Sequence, residues 1–115
     1  DVIVRLHMCG RTDDLLPLML QLPVDIYELD FPVDLAHARE VLGPDEVILG
    51  NVSTVDEMLT GTPDEVYDEV RERITTVGRG GGLIIAPAYD LEPEVRWENV
   101  LAFFEAVEEF GEISA

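Results

Sequence analysis

Apolar residues in this chain fall in short continuous runs that alternate with amphipathic stretches, and the alternation repeats four times. Residues 2–7 open with Val2, Ile3, Val4 and Leu6, a run of strand length that predicts a buried strand. Thr12 or Asp13 can then cap a helix carrying Leu15, Leu16, Leu18, Met19, Leu20 and Leu22, which must end before Pro23. The second unit pairs a strand over residues 25–31 with a helix in which Val33, Leu35, Ala36, Ala38, Val41 and Leu42 approach one stripe, closed by Gly43. The third has a strand over residues 46–52, a short helical turn near residues 55–59, and a helix opening on Thr62 as N-cap and Pro63 at its first position. Asp64 and Glu65 in that first turn suit the helix dipole. The fourth strand covers residues 82–89, and the last helix repeats Leu101, Phe104, Val107 and Phe110 at intervals of three.

Four β-α units at this spacing imply parallel strands joined by right-handed crossovers. They predict an α/β fold, either a small open sheet or half of a (β/α)8 barrel, with residues 1–115 forming a single domain. In both architectures ligands bind at the carboxyl ends of the strands. There the sequence places His7 and Cys9, then Glu28 and Asp30, then Asn51, then Tyr89 and Asp90.

Composition narrows the partners. Seven basic residues, all arginine, against 25 acidic ones give a formal charge of −18, which disfavours nucleic acid and anionic membrane surfaces. The same excess suits solubility in high salt or a GC-rich genome, and so says little about mechanism. One cysteine forms no internal disulfide, which predicts a reducing, cytoplasmic setting. No apolar run approaches the roughly 20 residues of a membrane span. The acidic start without a charged-then-apolar leader is read as no signal peptide, and the first residue, not Met, suggests a fragment or a processed chain.

The candidate chemistry lies at the strand ends. His7 and Cys9 alternate onto one strand face about 6 to 7 Å apart along the backbone, close enough for both to reach one metal ion. Imidazole and thiolate suit zinc, although the same spacing fits two buried side chains. Glu28 and Asp30 share a face and can complete a metal shell, bind a cation, act as acid and base, or cap the next helix. Asn51 can orient a substrate carbonyl or satisfy loop backbone, and Tyr89 and Asp90 can donate and accept at the rim or simply pack there. Gly78, Gly80, Gly81 and Gly82 precede a strand, so they lack the placement of a phosphate loop. His37 reads as an ordinary helical residue and Met8 as core.

The segments HMCGRTDDLLPLM, IYELDFPVDLAHAREVLGPDEVILGNVST, GTPDEVYDEVRERI and GLIIAPAYDLEPEVRWENVLAFFEAV together resemble the carboxyl-terminal half of the uroporphyrinogen decarboxylase superfamily. The resemblance spans nearly the whole chain. Its H-x-C-G is similar to the zinc-binding branch, cobalamin-dependent methyltransferases that move methyl groups between a corrinoid and a thiol acceptor such as coenzyme M. This implies zinc on His7 and Cys9, a corrinoid as methyl carrier, and a small-molecule substrate or a corrinoid protein as partner. That branch ends its fourth strand A-P-G-C-G, whose Cys is a third ligand, whereas here Tyr89 holds that place, which implies either an oxygen ligand from Asp90, Glu28 or Asp30 in its stead or a site that has lost zinc. The alternatives are a metal-free lyase of porphyrin biosynthesis, and a non-catalytic half-barrel. With four of eight units, the resemblance implies a homodimer or a missing amino-terminal half.

Overall fold

The computed structural model describes residues 1–112. Its four strands, β1 (Arg5–Met8), β2 (Ile26–Leu29), β3 (Val47–Val52) and β4 (Leu83–Pro87), lie in one parallel sheet in chain order. Helices α1 (Leu16–Met19), α2 (Leu35–Leu42), α3 (Pro63–Arg73) and α4 (Trp97–Phe110) alternate with them, the half-barrel arrangement. Leu16, Met19, Tyr27, Leu29, Leu35, Ala38, Leu42 and Ile48 form one buried cluster. Leu6 and Met8 pack against that cluster, so His7, between them, turns to the opposite face of the sheet. A second cluster joins Val52, Met58, Val66, Val70 and Ile74 to Ala102, Phe103 and Ala106.

Local signals explain most boundaries. Asp34 caps α2, its carboxylate accepting from the amides of Ala36 and His37. Thr62 and Glu65 form a reciprocal capping box at the start of α3. At the amino ends of the strands, Arg39 donates to the carbonyls of Gly43, Glu46 and Gly82, which fixes the glycine-rich entry to β4 as a structural connector.

Three elements depart from expectation. β1 starts only at Arg5, and Val2, Ile3 and Val4 are exposed rather than buried, because β1 is an edge strand paired on one side by β2 alone. The first helix is a 3-10 turn over Asp13–Leu15 followed by four α-helical residues, and Thr12 makes no side-chain capping bond. In α4 the stripe Leu101, Phe104, Val107, Phe110 is not the buried face. Asn99, Ala102, Phe103 and Ala106 are buried instead, while Leu101 and Phe104 face outward. Asn99 sets that rotation, its amide donating to the carbonyls of Met58 and Gly61, both at 2.9 Å.

Candidate functional site

The parallel register sets His7 of β1 beside Glu28 of β2. Both project from the sheet face opposite the helices, and Glu28 is buried. The imidazole stands between two groups. Its Nε2 is 3.3 Å from Cys9 Sγ, and its Nδ1 is 3.4 Å from Glu28 Oε1. Glu28 Oε2 lies 2.9 Å from Arg5 Nε, but not at a hydrogen-bonding angle. His7 Nδ1 and Glu28 Oε2 are therefore buried polar atoms without a hydrogen-bond partner. Groups left in that state are costly unless a ligand or a small movement satisfies them.

The other predicted residues divide. Asp30 is buried, and its two oxygens accept from the amides of Gly10 at 2.7 Å and Phe31 at 2.8 Å. Asn51 is fully buried, donating to the carbonyls of Asp30 and Val33 and accepting from Arg73 Nε at 2.8 Å. Asp30 is thus taken up by two backbone amides, and Asn51 by two backbone carbonyls and the Arg73 guanidinium. Tyr89 and Asp90 are exposed on the loop after β4, two strands away from β2 and its Glu28. Arg5 and Arg73 were not anticipated. Arg5 was readable, since Arg5, His7 and Cys9 alternate onto one face, whereas Arg73 looks in sequence like an ordinary surface partner of Glu69.

Two ligands on one zinc ion, at the usual Zn–N and Zn–S lengths and a near-tetrahedral angle, stand about 3.5 Å apart. The His7 and Cys9 atoms at 3.3 Å fit that pair. Glu28, on the far side of the imidazole, fits the carboxylate that orients a ligating histidine rather than a third ligand. Asp30 already receives two amide bonds. Among the described residues no three His, Cys, Asp or Glu side chains converge as a metal group, so the remaining donors have to come from elsewhere.

The half-barrel brings a histidine and a cysteine at the carboxyl end of one strand beside buried acids on the next, the end where ligands bind in barrels of this class. The chain belongs to the uroporphyrinogen decarboxylase (URO-D) family, whose profile matches residues 1–110. A methylated-thiol–coenzyme M methyltransferase of Methanosarcina mazei is 35% identical over 104 residues, covering 90% of this chain and 27% of that protein. A uroporphyrinogen decarboxylase of Methylococcus capsulatus is 32% identical over 87 residues, covering 76% of this chain and 24% of its own length. The solved structure of a methyltransferase from Methanosarcina mazei superposes with a TM-score of 0.84 at 26% identity, covering 97% of this chain and 32% of that one. The chain thus spans about a quarter of the length of the curated relatives it matches. No helix among the described residues is long and apolar enough to cross a membrane.

Proposed function

We propose that this chain is part of a methyl-transfer enzyme in which His7 and Cys9 hold a zinc ion that activates a thiol acceptor, with a corrinoid as the methyl carrier. One observation carries the reading: a histidine with Cys9 Sγ at its Nε2 and the Glu28 carboxylate at its Nδ1. Zinc bound there supplies Lewis acidity that lowers the pKa of a coordinated thiol. The side chains have separate tasks. A small closing of the 3.4 Å gap would let Glu28 accept a hydrogen bond from Nδ1, the tautomer that leaves the Nε2 lone pair directed toward the metal position. Arg5 balances the charge of Glu28 from the other side. The relatedness to the coenzyme M methyltransferase supports this choice of substrate class.

Decarboxylation is the second reading, supported by the decarboxylase relatives and by the exposed Arg5 guanidinium beside Glu28 on the same sheet face, a cation that suits a carboxylated substrate. Metal content separates the two. The complete polypeptide carrying these residues, purified without chelator, is expected to hold zinc that is lost in Cys9→Ala and His7→Ala. Absence of zinc from the wild type, together with release of carbon dioxide from a carboxylated tetrapyrrole, would establish the second reading instead.

A further inference from the structure

Cys9 lies one residue beyond the end of β1, so the peptide that follows it has no place in the sheet ladder. Gly10 adopts a positive φ of 84°, and a side chain built there would meet nothing within 4 Å. No side-chain packing therefore restrains the backbone at this point. What holds it is one strong bond, the Gly10 amide to Asp30 Oδ2 at 2.7 Å, made by a buried carboxylate.

Asp30 is itself fixed from behind. Its second oxygen accepts from its neighbour Phe31, and its carbonyl accepts from the Asn51 amide at 2.9 Å. Asn51 also takes the Val33 carbonyl at 2.7 Å, closing the loop after β2 around one side chain. Arg73 then holds Asn51 Oδ1 at 2.8 Å, while Glu69 and Glu72 hold Arg73. A continuous chain of bonds runs from α3 to the backbone beside Cys9.

We infer that Asp30 is a positioning residue that sets Cys9 against His7, with Asn51 and Arg73 as its supports. This rests on the metal-binding reading above and assigns Asp30 and Asn51 a role other than contact with substrate. A ligand pair 3.3 Å apart tolerates little backbone movement, and an unrestrained glycine peptide next to the cysteine would spread the pair over many separations.

The test uses the complete polypeptide and Co²⁺ as the probe, whose thiolate charge-transfer absorption reports Cys9 coordination. Asp30→Ala is expected to weaken Co²⁺ binding about 10- to 100-fold, the usual effect of losing a group that orients a metal ligand. Arg73→Met should weaken it less, in the same direction. Asn99→Ala is the control, since it removes two buried bonds elsewhere and should lower thermal stability while leaving Co²⁺ affinity within about twofold. If Asp30→Ala fails to fold, Asp30→Asn keeps the size and one acceptor oxygen and should show an intermediate loss. Unchanged Co²⁺ affinity in the folded Asp30 variants, or a loss equal to that in Asn99→Ala, overturns the inference. Gly10 amide hydrogen exchange gives a readout independent of metal. Protection in the wild type that disappears in the Asp30 variant supports the positioning role even if the wild type binds no Co²⁺, a result that defeats only the metal reading. Equal exchange of Gly10 in both proteins overturns the positioning role.

Discussion

Gly50 sits directly before Asn51 near the end of β3, and its α-carbon lies against the backbone of β2. A Cβ there would approach the Leu29 carbonyl oxygen to 2.6 Å, at a φ of 131° that side chains rarely adopt. Gly50→Ala is therefore expected to destabilise the fold by about 3 kcal/mol or more, measured by urea unfolding. Near-normal stability would show that β2 and β3 separate easily at this point. The same residues mark how far sequence reading reaches. His7 and Cys9 share a face because strands alternate, so their proximity was legible from spacing alone. Glu28 joined them once register was known, because parallel pairing puts it opposite His7. Backbone satisfaction was one of the two roles the sequence offered for Asn51, but which groups it and Asp30 would hold was not legible, since that depends on which loop each side chain meets after folding. No local pattern distinguishes an asparagine that clamps two carbonyls from one that awaits a substrate.

At the scale of elements, starts were more legible than faces. The Thr62 to Glu65 spacing announces a capping box and the structure contains it, because both partners lie within one turn. Thr62→Ala should accordingly cost about 1 kcal/mol in thermal or urea unfolding. The buried face of α4 does not follow the apolar repeat, because its largest apolar residues do not all point inward. Phe103 is 6% exposed and Phe104 is 59% exposed, although they are neighbours of the same type. Asn99, Phe103 and two alanines, rather than the apolar residues spaced by threes, form the side of α4 that meets the second cluster. Phe103→Ala should cost about 3 kcal/mol or more, whereas Phe104→Ala should change the stability of this segment by less than about 0.5 kcal/mol. Similar costs for the two would mean that α4 is rotated from the orientation described.

At the largest scale, the described residues leave two sides of the sheet open. β1 and β4 are both edges of a parallel sheet, a class of sheet that is ordinarily covered on both faces. Apolar side chains collect at these openings: Val2 and Ile3 beside β1, Ile84 on the face of β4 away from the helices, and Trp97, Leu101 and Phe104 along the outer side of α4. Exposed apolar surface of this extent marks a surface that another body covers. The relatives are three to four times longer than this chain, which makes the rest of a closed barrel the leading candidate for that body, with a second copy of the chain as the alternative. Trp97, the sole tryptophan, is 67% exposed and reports on the outcome directly. The segment alone should emit at the wavelength of a water-exposed indole at low concentration. Its emission should move to the blue when the amino-terminal half of the barrel is added, and size-exclusion chromatography should show the two eluting together. A blue shift driven by concentration of the segment alone, with elution at twice its mass, would identify a homodimer. A well-folded monomer whose emission responds to neither treatment would contradict the view that these edges are built to be covered.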